Sequence, residues 1–469
     1  MERIHLHEAV GHALEQHYAD QTEEVAIQLA WHFEQAGLRL KAVDYLIIAG
    51  EKAVRGYAYQ EAITLFNRAL TLLKPLSENP EYTRRELSVQ IALGTALIVT
   101  EGFAAPQVER AFTRAWELCQ RAAESPQQFP ALFGLWTYYT TRTEHKRAWE
   151  LGEQLLHLAQ NAHDEHLILQ AHHSLWTSCF VIGEFVSARH SFEQGLDIYD
   201  PQRHHTHTFR YGGHDPGVCG GSFGGPILFC LGYPDQALQR GREALALAQE
   251  LSHPVSLTAA TRWLAALHRL RREEHAVQER ADEAIALATK HEFPLFVGWA
   301  TPLRGWALAH EGQDEAGISQ IRQGLATYQA TGALMDRPYM LALLAEVLGK
   351  NRQIEKGLHT IGEALTIVEE MGERYFESEL YRLRGELLLI RGEPAARVEA
   401  DFQQAMAISR RQDARSLELR AAMSLARLWQ SQGKQREAHQ MLAAIYGWFT
   451  EGFSTADLKE AGALLRALS

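Results

Sequence analysis

The chain has 469 residues, enough for two or three ordinary domains or one long repeat array. Hydrophobic residues make up 46%, so a substantial core is available, and a formal charge of -12 argues against a nucleic-acid groove as the main surface. No run of 18 apolar residues offers a membrane helix, and the start, MERIHLHEAVGHALEQHYAD, is too polar for a signal peptide. The dispersed cysteines, Cys119, Cys179, Cys219 and Cys230, form no close pair, so reduced thiols in a cytoplasmic protein are expected.

Taken in chain order, the elements repeat. Ala36 to Ala53 (AGLRLKAVDYLIIAGEKA) opens on a glycine turn, with small residues Ala42 and Ala49 five and twelve positions on. The same grammar returns at Gly183 with Ala188 and Gly195, at Gly232 with Ala237 and Ala244, at Gly312 with Gly317 and Gly324, and at Gly433 with Ala438. Glycine tolerates the left-handed conformation that ends a helix, and small residues let two antiparallel helices cross closely. With degenerate copies included, turns fall at Gly102, Thr143, Gly183, Gly232, Arg271, Gly312, Arg352, Gly392 and Gly433, spaced 41, 40, 49, 39, 41, 40, 40 and 41 residues apart. Apolar residues recur at helical spacing within each unit, as in Glu243 to Leu251 and Glu283 to Phe293. Stops between pairs are read at Ser77 to Pro80 (SENP), Ala123 to Pro130 (AESPQQFP), Tyr199 to Pro201 and Leu251 to Pro254.

This pattern predicts an all-α fold, a right-handed α-solenoid of stacked antiparallel helix pairs. It resembles the tetratricopeptide repeat, with a period near 40 in place of the family's usual 34, and the unit from Ala171 through Leu175, Gly183, Ala188 and Phe192 to Asp200-Pro201 fits best. The expected organisation is N-terminal helices over residues 1–76, repeats over 77–201, an irregular joint with the next first helix over 202–231, repeats over 232–450, and a capping helix over 451–469.

The one long step contains RYGGHDPGVCGGSFGGP, Arg210 to Pro226. Its GGSFG matches the G-x-S-x-G of serine hydrolases, but that nucleophile needs a strand before it and none is expected. His204, His205, His207, His214, Asp215 and Cys219 are metal-capable, yet their spacing fits no closed zinc pattern, and no metal is assigned. Asp215 reads instead as a helix cap with Pro216 at the first helical position. The glycines and Pro226 predict that the following helix is kinked, short or partly unwound. HEAVGH (His7 to His12) spaces its histidines five apart, off one helix face, and HDEH (His163 to His166) reads as a solvated join. The tryptophans read as packing residues, and the doublets Arg271-Arg272 and Arg410-Arg411 as solvated charges near helix ends.

First helices of a solenoid usually line its concave face. Their register gives groove candidates His173, Thr177, Thr261, His268, Arg382, Glu386, Arg420, Met423 and Arg427, with arginines suited to a partner's carboxylates. Joint or pocket candidates are Tyr211, His214, Asp215, Cys219 and Ser222.

Four longer phrases narrow the resemblance: Arg304 to Ala333, Glu373 to Leu389, Ser416 to Lys434 and Tyr446 to Ala461. Together they resemble the C-terminal repeat arm of large bacterial proteins that join a class III nucleotide cyclase or a kinase to a signal-transduction ATPase. YGGHDPGVC, LGYPDQAL and the N-terminal LAWHFEQAGLRLKAVDYLIIAGEKA also look like that family, the last resembling the join to the ATPase module. A phosphate loop is missing: Gly349-Lys350 continues as Asn351 and Gly433-Lys434 as Gln435, neither supplying the magnesium-binding hydroxyl. The expectation is therefore the arm alone, without catalysis or cofactor. It would bind a protein partner or the attached ATPase/cyclase module, and neither nucleic acid nor membrane. The alternatives are a small-molecule sensor with its pocket at Gly212 to Pro226, and a hydrolase or metalloenzyme at the same joint.

Overall fold

The computed structural model describes residues 2–74, 80–121 and 126–469. The stop residues Ser77 to Asn79, the expected boundary between residues 76 and 77, and Ala123 to Ser125 lie outside the described residues. Twenty-four α-helices and no strand occur among the described residues, paired antiparallel as in a TPR-like repeat. The chain divides into two compact units, Met1–Tyr138 with Thr206–Gly213, and Tyr139–His205 with His214–Ser469.

The first unit holds α1 (Glu2–Tyr18), a 3-10 stretch (Ala19–Val25), α2 (Ala26–Gln35), α3 (Arg39–Arg55), α4 (Tyr59–Leu73), α5 (Pro80–Glu101), α6 (Pro106–Arg121) and most of α7 (Gln128–Thr141). The second begins with α8 (His145–Ala162), α9 (Glu165–Ile182), α10 (Phe185–Ile198) and the short α11 (Pro201–His204). It continues through α12 (Pro216–Leu231), α13 (Pro234–Leu251), α14 (Pro254–Arg271), α15 (Glu274–Lys290), α16 (Pro294–His310) and α17 (Asp314–Ala330). Then come α18 (Arg337–Lys350), α19 (Ile354–Met371), α20 (Glu377–Arg391), α21 (Ala395–Arg411), α22 (Arg415–Ser431), α23 (Gln435–Tyr446) and α24 (Ala456–Leu468).

Second helices of each pair are amphipathic. In α15 only Val277, Ala281, Ala284 and Ala288 are buried, one stripe at helical spacing. First helices are buried nearly all round, as α14 is from Ala260 through Arg271. They lie between their own partner and both neighbours, so little face remains for water outside their last turns.

Positive φ marks the expected turns at Gly102, Thr143, Gly183, Gly232, Gly312, Arg352, Gly392 and Gly433; the turn expected at Arg271 falls one residue later, on Arg272. At Gly232 (φ +99°) the N–H donates to Phe229 O at 3.0 Å, and Tyr233 N–H donates to Leu228 O at 2.9 Å. This closes the end of α12 in the double-bonded glycine cap.

The helix after the His-rich loop departs from expectation. Instead of being short or unwound, α12 is one helix of 16 residues with Pro226 inside it, all of them buried. Propensity loses to packing here. A Cβ on Gly217 would stand 2.4 Å from the Tyr199 ring, and one on Gly221 would stand 2.9 Å from Ala244 Cβ. The missing side chains let α12 sit against its neighbours closely enough that burial outweighs a cost of up to about 1 kcal/mol per glycine. Asp215 caps the helix, accepting from Gly217 and Val218 N–H at 2.9 and 3.0 Å, with Pro216 in the first turn.

Within the second unit, the ends of early first helices meet the starts of later ones. Leu334 and Met335 N–H both donate to Thr141 O at the end of α7, at 3.0 and 3.1 Å. Arg374 and Tyr375 N–H donate likewise to Val181 O near the end of α9, at 2.9 and 3.2 Å. Ser416 Oγ donates at 2.6 Å to Phe229 O in α12, 187 residues away. Helix C-termini carry carbonyls without partners, and segments entering helices carry free N–H groups, so each end satisfies the other. Close to five periods separate the partners, which is one superhelical turn.

A buried polar cluster sits beside this junction. Asp336, 1% exposed, accepts from Arg262 Nη2 at 2.9 Å, from Tyr375 OH at 2.7 Å and from Trp299 Nε1. Its own N–H donates to Glu373 at 2.9 Å. The Arg262 guanidinium lies 4.3 and 3.9 Å from the Trp263 and Trp299 ring centroids. Burial, then the Asp336 charge, hold the Glu373 carboxyl well above its ordinary pKa.

Candidate functional site

The last turns of the first helices in the second unit place ionisable side chains at one recurring slot. Arg269 lies in α14, His310 in α16, Glu346 in α18, Glu386 in α20 and Arg427 in α22, each close to one period after the last. Helices of one layer run the same way, so a residue repeated at this period recurs at the same height. Most of these side chains, with Asp457 and Glu460 of α24, line a cleft of about 270 Å³.

Five arginines and five carboxylates alternate around it. On the floor, Arg382 holds Glu379 through two bonds of 2.8 and 3.1 Å. Arg420 donates to Asp457 at 2.7 Å and lies 3.5 Å from Glu379 on the preceding first helix. Arg420 also donates to the Leu270 carbonyl. Arg269 donates to Glu346 at 2.5 Å. Burial opposes the charges on Glu346 and Glu379, but Arg269 and Arg382 respectively lead the opposing pull, and both carboxyls fall below the usual range. The floor is thus internally paired.

The rim differs. Arg427 and Arg272 share Glu460, at 2.5 and 2.6 Å, with side chains 41%, 44% and 39% exposed. Exposed pairs contribute at most about 1 kcal/mol, so an incoming carboxylate or guanidinium can replace one member at little cost. The floor pairs fix shape, and the rim pairs are exchangeable.

Of the groove candidates, Arg382, Arg420, Met423 and Arg427 line this cleft. Glu386 stands at its edge, 3.7 Å from Arg382 and accepting from Ser424 Oγ at 2.5 Å. His173, Thr177 and Thr261, also groove candidates, are 1%, 6% and 0% exposed, because neighbouring helices cover those positions. His268 is also buried and lies 2.5 Å from Glu273. Arg271, expected in solvent, is buried and donates to Pro234 O at 2.6 Å and Glu273 at 2.9 Å. Sequence reasoning missed Arg269, Arg272, Glu346, Asp457 and Glu460, although their period-spaced charges were the available signal.

The joint candidates part company. Tyr211 belongs to the first unit, where it packs edge-on against Phe129 and Phe133 at 5.8 and 5.5 Å. His214, Asp215, Cys219 and Ser222 belong to the second. Ser222 is 3% exposed in the middle of α12, so it lies inside a helix and not on a strained strand–helix elbow. His204 lies 2.7 Å from His166, and His205 lies 3.6 Å from Asp215. His214 Nε2 lies 3.1 Å from His173 Nε2, 41 residues earlier on α9. Cys219 completes a group whose ligand atoms all lie within 4.8 Å of one another.

No family model matches the chain. The uncharacterized protein R02095 of Rhizobium meliloti (strain 1021) is 30% identical over 406 residues, covering 85% of this chain and 39% of that protein. The chain therefore spans about two fifths of the curated relative it matches. Among solved structures, a Rap protein complexed with Competence and Sporulation Factor is similar at TM-score 0.51 and 12% identity, over 86% of this chain and 99% of that one. Aspartyl phosphate phosphatase F from Bacillus subtilis is similar at TM-score 0.42 and 14% identity, over 76% and 92% of the two chains. These identities speak to fold alone.

Proposed function

We propose that the chain is a non-catalytic repeat scaffold whose second unit receives a polypeptide segment of a partner in the arginine–carboxylate cleft. The observation that carries this reading is the contrast within the cleft: a desolvated, internally paired floor beneath exchangeable ion pairs at Arg272, Arg427 and Glu460. Such a rim suits a segment bearing both carboxylates and cations. The Rap protein of similar fold was solved in complex with a factor, which is in keeping with a binding role.

The phrases quoted above support a more specific setting, the regulatory arm of a bacterial ATPase/nucleotide cyclase signalling protein in the cytoplasm. In that setting residues 1–76 join the ATPase module to the repeats, 202–231 form the joint, and 451–469 cap the array. The greater length of the Rhizobium relative leaves room for such modules. No helix among the described residues is long and apolar enough to cross a membrane.

The test is a pull-down of the detached ATPase–cyclase module by this chain, with Arg427→Glu as the comparison, since Arg272 also donates to the buried Asp457 at 3.2 Å. Charge reversal at the rim is expected to weaken capture at least tenfold without lowering the melting temperature. Equal capture by both proteins, or none by either together with unchanged cyclase output after deletion of the arm, would remove the proposal.

A further inference from the structure

His173, His214 and Cys219 form the only group of three metal-capable side chains gathered this closely among the described residues. The three come from adjacent repeats: His173 from the third turn of α9, His214 from the loop before α12, and Cys219 from the first turn of α12. That loop is the extra length in the long step of the repeat, and it brings His214 against α9. We propose that this triad is a binding site for a borderline-soft divalent metal, zinc by chemical class, which ties α9 to α12.

The spacing of the two imidazole nitrogens fits the ion. Two nitrogens bound at about 2.0–2.1 Å with tetrahedral angles stand roughly 3.3–3.4 Å apart. The two Nε2 atoms here stand 3.1 Å apart. Gln170, one helical turn before His173 and fully buried, presents Oε1 at 3.2 Å from His173 Nδ1. Accepting the Nδ1 proton there leaves the Nε2 lone pair directed at His214, as outer partners of metal-bound histidines do. Trp176 stacks on the His173 ring at 4.8 Å and 18°, holding its plane. The donor set of two imidazoles and one thiol selects zinc or copper over magnesium or calcium. His214 is half-buried, and a zinc ion with three protein ligands takes water as its fourth.

The balance of the step is simple. Binding forms one metal–sulfur bond and two metal–nitrogen bonds; the S–H bond of Cys219 breaks and its proton passes to solvent.

The experiment uses the full chain, stripped with chelator and titrated with Zn²⁺ or Co²⁺ alone. One metal per chain is expected, with one proton released and a thiolate-to-cobalt charge-transfer band. Cys219→Ser should abolish the band and the proton release. Gln170→Ala should weaken binding about 10- to 100-fold. Cys230→Ser, in the same helix but outside the triad, should change neither, and circular dichroism checks that each variant folds. Substoichiometric metal, a cobalt spectrum without the thiolate band, or binding that survives Cys219→Ser and is lost with His204→Ala would overturn the assignment. The last result would place the ion at the neighbouring His166–His204 pair.

Discussion

Gly317→Ala and Gly362→Ala are the same chemical change within a helix, and the structure gives them opposite signs. Each removes backbone freedom and gains up to about 1 kcal/mol of helix propensity. Gly362 is exposed on α19, and an added Cβ meets nothing within 4 Å. The full propensity gain of about 0.5–1 kcal/mol should appear as stabilisation. Gly317 lies on α17 where it crosses α16. There a Cβ would stand 2.4 Å from the Gly305 carbonyl oxygen and 3.0 Å from Ala309 N. Those atoms belong to the backbone and cannot rotate away, so the helices must separate. Overpacking of this kind typically costs about 1–3 kcal/mol, which exceeds the propensity gain and leaves a net loss of about 1–2 kcal/mol. Long repeat arrays need not unfold in one step, so amide hydrogen exchange across Pro294–Ala330 is the appropriate local measure, with thermal melting beside it. If Gly317→Ala protects those amides as well as Gly362→Ala protects its own helix, the close-approach reasoning is wrong.

Asp336→Ala removes the acceptor shared by Arg262, Trp299 and Tyr375 and leaves a buried guanidinium unpaired, so a loss of about 3–5 kcal/mol is expected in urea unfolding. His145 is buried, and burial pushes its imidazole down to about 4. The folded chain therefore keeps it neutral while the unfolded chain takes up a proton below pH 6.5. Its stabilising effect is complete above that value and shrinks as pH falls towards about 4, by about 2 kcal/mol at pH 5. Melting curves of the wild type and His145→Leu should therefore diverge in slope between neutral pH and about pH 5. Cys179 and Cys230 thiols are pushed up to about 12, burial being the main cause, so neither should react with iodoacetamide until the chain is unfolded.

The repeat rhythm and its turns were legible without a structure because both are local. A left-handed residue after a helix leaves glycine, or a tolerated substitute, at a fixed period, and Gly102, Gly183, Gly232, Gly312, Gly392 and Gly433 carry that signal directly. Arg382, Arg420, Met423 and Arg427 were reachable by the same register and do line the cleft. The Asp215–Pro216 cap was equally readable, since a cap depends on residues within one turn.

The helix α12 was misjudged for the complementary reason. Its glycines count against it as a local segment, and only the neighbours that approach Gly217 and Gly221 turn them into an asset. Burial of His173, Thr177 and Thr261 has the same origin: one helix's sequence does not state how many helices surround it. The joining of Val181 to Arg374 depends on which distant repeats meet, and that of His173 to His214 on how the extra loop folds back onto α9. By itself, then, the sequence determined the helices, their period and their caps, because hydrogen bonds within a turn and apolar stripes are short-range. Only the tertiary structure decided which charges share a cleft and which histidines face a cysteine, because those pairings are set by how distant repeats meet and how the inserted loop folds back.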